Sequence, residues 1–176
     1  MIRLATNSDT VRIRSIRDQA SRRMAAQGID QWQHGEPTDA SLDEDIRLQR
    51  LYVVEHDGIV EAMACLMHSP DENYAQIMGK WQTPETYLAI HRLAVADHAL
   101  QQGHATALAQ FAFTKAQEWG ISAIRVDTHK DNKTAQAAFQ RWGFKAAGVI
   151  RLHQTKRDPW RLAYERWVLP QREENQ

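Results

Sequence analysis

The sequence predicts an α/β fold: a single domain with a central mixed β-sheet flanked by helices. Three observations carry this. Apolar, strand-like runs alternate with segments of helical periodicity in the order β-α-α-β-β-β-α-β-α-β-β. Two of those runs meet at Asp57-Gly58, a dipeptide favoured in two-residue hairpin turns. A strand, a helix and another strand then follow one another over residues 86–128, the pattern of a parallel, right-handed β-α-β unit. At 176 residues the chain can bury a sizeable core, and one domain spanning 1–176 suffices.

The elements follow in order. Residues 2–5 read as a short strand. Residues 7–28 read as a helix: Asn7, Ser8 and Asp9 offer a cap, Ile13, Ile16, Ala20 and Met24 share one face, and Gly28 can stop it. Residues 29–39 are loop-like, and 40–50 form a shorter helix. The hairpin occupies 51–68. A polar connection with aromatic insertions covers 69–84. The run at 86–95 is apolar enough to be a strand buried on both faces. From Gly103 to Trp119 the pattern is helical, with Ala105, Leu108, Ala112, Ala116 and Trp119 on one stripe and Gly120 beyond. A strand at 123–129, a helix at 132–142 capped by Asn132, and strands at 144–152 and 162–169 complete the chain.

Bulk composition narrows the function. Lysine plus arginine and aspartate plus glutamate balance at 22 each, which gives no pull toward nucleic acid or an anionic membrane. The tryptophans are dispersed and no basic stripe interleaves with them, so nucleic-acid binding ranks low. No apolar run approaches the roughly 20 residues that span a bilayer. The lone Cys65 cannot make an internal disulfide, and no apolar leader opens the chain, so a reduced, cytoplasmic protein is expected.

The turn Leu100-Gln101-Gln102-Gly103-His104-Ala105 joins strand to helix at the carboxyl end of a strand, where open α/β sheets bind ligands. First-turn amides of a helix lack internal partners and sit at the positive end of its dipole, so they suit a phosphate. Glycine admits a ligand to the main chain without a Cβ clash. The turn is neither a Walker loop nor a three-glycine dinucleotide fingerprint.

Together, "HRLAV" from His91, "QQGHA" from Gln101 and "RVDTHKDNKTAQAAFQRWGF" from Arg125 to Phe144 resemble the GNAT superfamily of acyl-CoA N-acyltransferases. That family's phosphate loop has Gln or Arg, two free positions, Gly, one free position, then Gly or Ala. Gly103 and Ala105 match; Leu100 departs. The resemblance is strongest over 86–150 and extends more loosely along the chain. It implies a splayed sheet in which acyl-CoA slots beside the strand that precedes the loop. Leu93, Ala94 and Val95 would face the pantetheine, with a main-chain amide polarising the thioester carbonyl. Leu100, Gln101, Gln102, Gly103, His104, Ala105 and Thr106 would form the pyrophosphate loop. Asn132 would bond near the pantetheine, or serve only as a helix cap. A tyrosine that usually protonates the leaving thiolate is replaced by Phe139. Phe139 can still pack on the pantetheine, and a thiol of pKa roughly 8.5 can leave without a dedicated acid.

The reaction so implied is acetyl transfer from acetyl-CoA to the amine of a small molecule by direct attack in a ternary complex, with no metal. Its alternative is a non-catalytic acyl-CoA sensor on the same fold. Imidazole, with an ordinary pKa of about 6.5, suits the base that must deprotonate the amine, and the similarity of HRLAV to the corresponding strand of the arylalkylamine acetyltransferases, where a histidine at this position is part of the proton path, makes His91 the candidate. Alternation along the strand places Glu85, Tyr87 and His91 on one face, so Glu85 is the expected carboxylate partner. Trp32, Tyr87 and Asp127 are expected to line the acceptor site, with Gln31, His34, Tyr74 and Trp81 from the two loops around it. A homodimer through the C-terminal strands is a further expectation from the resemblance.

Overall fold

A computed structural model of the chain describes residues 1–153, 155 and 158–168. Eight strands form one sheet: β1 (Ile2–Leu4), β2 (Leu51–His56), β3 (Ile59–His68), β4 (Ile77–Gly79), β5 (Leu88–Val95), β6 (Ala123–Thr128), β7 (Lys145–Arg151) and β8 (Trp160–Trp167). Their order across the sheet is β1-β2-β3-β5-β6-β8-β7-β4. Every neighbouring pair is antiparallel except β5 and β6. The helices are α1 (Thr10–Ala26), α2 (Asp39–Arg47), α3 (His104–Glu118) and α4 (Lys133–Arg141). The mixed sheet and all four helices are as expected from sequence. β4 is not: it lies within the stretch 69–84, where a polar loop is expected. The expected last strand ends at Leu169, which lies outside the described residues.

Each face of the sheet has its own core. Leu88, Ile90, Ile124 and Val126 pack with Leu108, Ala109, Ala112 and Phe113 of α3 and with Phe139 of α4. On the other face, Val53, Met63 and Cys65 meet Ile13 and Ile16 of α1 and Leu42 and Ile46 of α2. Burial pushes the Cys65 thiol up to about 12, so it behaves as a small apolar side chain. Alongside, Tyr74, Tyr87, Ala89, Ala163 and Ile150 form a third cluster under the 69–84 connection. That connection is tied down by charge. Arg125 lies between the rings of Trp81 and Tyr87, 4.1 and 4.0 Å from their centroids, and donates to the carbonyls of Thr83 and Pro84. Glu165 accepts from the amides of Gln82 and Thr83.

The edge strand β4 depends on two glycines. Gly79 pairs with Gly148 of β7, and a Cβ on Gly148 would run into the carbonyl oxygen of Met78. Backbone cannot retreat as a flexible side chain can, so Gly148→Ala should cost about 1–3 kcal/mol, the range for overpacking. Urea unfolding should show the lowered midpoint; an unchanged midpoint would mean that the two strands separate freely.

The feature that positions the site is the parting of β5 from β6. They pair only at Leu88↔Ile124 and Ala89↔Arg125. β6 stays with β8 along its whole length, while β5 follows β3 past a register shift between Met63 and Cys65. Opposite that shift Arg92 has φ +52°, a conformation adopted at bulges, which bend a strand and raise its twist. Arg92 Nη1 meets Asp45 Oδ2 at 2.7 Å, and Arg50 Nε meets Asp45 Oδ1 at 2.7 Å. Asp45 is fully buried. A buried carboxylate held by two cations is costly to unpair, so this contact fixes the bulge.

Candidate active site

Two parts of the molecule meet at the parted strands. The first is the turn after β5. Gln101 and Gly103 have φ +64° and +85°. Such alternation turns successive amides to one side, making an anion-binding concavity. The main-chain N–H groups of residues 101–106 donate to no described group, and the first internal bond of α3 runs from Ala107 N to Gly103 O. The turn is pinned at both ends by Glu61 of β3. Its carbonyl accepts from Ala96 N at 2.8 Å, and its carboxylate meets His98 Nε2 at 3.2 Å and His104 Nε2 at 2.9 Å. Arg23 of α1 donates to Val95 O at 2.9 Å. Leu93 packs against the α3 and α4 core, Val95 touches both cores, and the Ala94 side chain is buried in the α1 and α2 core.

The second part is a polar cluster on the sheet face covered by α1 and the 69–84 connection. His91 Nε2 lies 2.8 Å from Asp71 Oδ2, and His91 Nδ1 lies 3.9 Å from Asp127 Oδ1. Tyr74 donates its hydroxyl to Asp127 Oδ1 at 2.6 Å. Burial and the adjacent Asp127 carboxylate raise the Tyr74 phenol well above its ordinary value, so it stays a donor. Burial pushes the Asp71 carboxyl up, but the His91 ring and the Asn73 amide outweigh this and leave it below its ordinary value. An ionised carboxylate can only accept, so the proton of a neutral His91 ring resides on Nε2. Nδ1 then keeps its lone pair and faces the cleft side of Asp127.

The structure sets His91 beside Asp127, and the carboxylate bonded to His91 is Asp71 rather than Glu85. Glu85 lies before β5, in an exposed bend, so strand alternation does not reach it, and Asp71 is the carboxylate against His91. Asp71 carries no local mark of this role: the contact spans 20 residues and depends on how the 69–84 connection folds back. Tyr87 is buried, and its hydroxyl accepts from Asp71 N at 3.0 Å, so it supports the site from behind. Trp32 packs partly buried near α1, and its carbonyl accepts from Ser21 Oγ. Asn132 caps α4 through Ala135 N, and its amide donates to Gln31 Oε1 at 3.0 Å. Gln31 Oε1 also accepts from Thr128 Oγ1 and His129 N, so this pair clasps the α1–α2 loop to the end of β6. Phe139 is buried, with Tyr164 edge-on at 5.5 Å. Thr106 Oγ1 accepts from Trp142 Nε1.

Comparison with known proteins gives a consistent result. The family model described as the acetyltransferase (GNAT) family matches residues 14–144. A GNAT-family acetyltransferase from Streptococcus agalactiae 2603 is 29% identical, with a TM-score of 0.77 over 95% of this chain and 94% of that one. The ribosomal-protein-S18-alanine N-acetyltransferase from Escherichia coli, 14% identical with a TM-score of 0.69 over 100% of this chain and 98% of that one, shares the fold. GCN5-related N-acetyltransferase 6, chloroplastic, from Arabidopsis thaliana is 33% identical over 78 residues. That match covers 44% of this chain and 27% of the plant protein's length.

Proposed function

Because the chain belongs to the GNAT family of acetyltransferases, we propose that it uses acetyl-CoA to acetylate the primary amine of a small molecule within a ternary complex. The observation that carries this reading is the row of unpartnered amides at 101–106 beside the parted strands β5 and β6. A diphosphate fits such a row through charge-assisted hydrogen bonds at a helix N-terminus. Acetyl-CoA, when bound, supplies the activated acetyl thioester. The β5 edge beyond Ala89, unpaired with β6, can receive an extended chain as an added strand, and it presents N–H donors where the carbonyl would gain charge.

The acceptor side follows from the polar cluster. Asp127 holds the incoming ammonium, and His91 Nδ1 takes its proton once the amine is in place. Asp71 accepts from Nε2–H throughout, fixing the ring and stabilising the imidazolium that forms, the role of the orienting carboxylate in base-assisted acyl transfer. Tyr74 keeps Asp127 oriented. Phe139 leaves no phenol at the position that the family resemblance assigns to the thiolate's proton donor, and a thiolate can depart unaided at little cost.

Two measurements test this together. CoA at about 100 times its dissociation constant should add roughly 2.7 kcal/mol of stability. A panel of amines with acetyl-CoA should release free thiol. Tight CoA binding with no turnover on any amine would favour a non-catalytic acyl-CoA sensor instead, and no CoA binding would end both readings.

A further inference from the structure

The structure holds a cation that the reaction above does not use. Arg161 of β8 is 4% exposed. Its Nη1 donates to the carbonyls of Asp158 and Trp160 at 2.8 and 2.9 Å. Among the described residues, Nε and Nη2 donate to nothing, and no carboxylate comes within ion-pair distance of the guanidinium. Nor are these two nitrogens among the buried side-chain atoms sealed from solvent without a partner. A guanidinium this deeply placed is ordinarily paired, because an uncompensated buried charge is expensive.

Its position supplies the meaning. Asp127 pairs in register with Ala163, two residues beyond Arg161, so Arg161 and Asp127 lie on the same face as diagonal cross-strand neighbours, roughly 7–8 Å apart. Burial lowers the Arg161 pKa, and Asp127, Asp158, Asp30 and Glu36 oppose this from β6, the 152–159 connection and the α1–α2 loop. The acceptor side of the cleft thus offers a fork-shaped cation, without an ion pair among the described residues, on one strand and an ammonium-holding carboxylate on the next.

We propose that Arg161 receives a carboxylate carried by the acceptor, so that the substrate is an amino-carboxylate held at both ends: its anion on Nε and Nη2 of Arg161, its amine between Asp127 and His91. This rests on the acetyl-transfer reading for the identity of the amine site, whereas the carboxylate subsite stands on Arg161 itself. A guanidinium suits the task because its planar fork matches a carboxylate in two parallel hydrogen bonds. Arg161 acts by positioning and takes no part in proton transfer.

The test compares amino acids with their amides and with the corresponding decarboxylated amines. With wild-type protein and acetyl-CoA, kcat/KM should favour the carboxylated acceptor by about 30-fold, the scale of one charge-assisted pair. Arg161→Gln should raise KM for the acid and leave kcat and the KM of the amide unchanged. Arg161→Lys, which keeps the charge but loses the fork, should fall between. CoA affinity and the melting temperature of each variant report whether it has folded. Binding is measured separately by calorimetry with the N-acetylated acid and its amide, so a protein inactive on every amine still tests the subsite. Selective binding of the acid without turnover would uphold the Arg161 subsite while sinking the transferase reading. Equal preference for acid and amide in the wild-type protein, or equal losses for both in Arg161→Gln, would overturn the proposal.

Discussion

Replacing His91 by glutamine is expected to lower kcat about 100-fold, the lower range for losing a positioned general base, while CoA affinity stays at the wild-type level. Glutamine can still donate to Asp71 but cannot accept a proton from an ammonium. The acid limb of the pH–rate profile should vanish with the histidine, because that limb reports the base becoming protonated. Asp71→Asn tests the layer behind it. Asparagine leaves the ring without an ionised acceptor on Nε2, so the tautomer with its lone pair on Nδ1 is no longer enforced. A loss of about 10-fold is expected, the smaller effect of an outer partner. Rates measured across the pH range in both variants check this. An unchanged profile in His91→Gln would remove His91 from the base role and leave Asp127 or a water chain in its place.

The second expectation concerns the turn at Gly103. Gly103→Val should weaken CoA binding about 50-fold and Gly103→Ala about 5-fold, as one or two charge-assisted hydrogen bonds are lost or lengthened. The size of the effect depends on where a Cβ would go. At φ +85° no atom of the described residues beyond Gly103 and its chain neighbours lies within 4 Å of it, so the folded chain has room for a side chain there. What a side chain disturbs is access to the amides at 101–106 and the left-handed conformation itself, the latter costing roughly 1–2 kcal/mol. Calorimetric titration with CoA, paired with a thermal melt of the free variants, separates the two contributions. Affinities equal to wild type would show that no ligand approaches this main chain.

The parts of the site that sequence reveals are those encoded locally. An apolar strand, a glycine in a left-handed turn and a helix start announce the loop around Gly103 in a few consecutive residues. The cap at Asn132 is read the same way. Strand parity relates residues that share a strand, and it fails at Glu85 because β5 begins only at Leu88. The partners of His91 are decided by tertiary folding. Asp71 and Tyr74 come from a connection held down by Arg125 and Glu165, residues that look like ordinary strand charges until Arg125 is seen between the rings of Trp81 and Tyr87 and Glu165 against the amides of Gln82 and Thr83. β4 is hidden for a related reason: its three residues pair with β7 through Gly79 and Gly148, and glycine in a strand speaks against a strand locally. Arg161 is the extreme case. Nothing in "DPWRLAYERW" marks that arginine as buried, and only the register of β8 on β6 sets it beside Asp127.

The most direct measurement is a crystal structure of the protein with CoA. The diphosphate should lie within hydrogen-bond distance of the main-chain nitrogens between Gln102 and Ala105, with the pantetheine running along β5 beside Leu93, Ala94 and Val95 and its sulfur toward the cleft of His91. A ligand bound elsewhere, or β5 and β6 closed into a continuous ladder beneath it, would contradict the account.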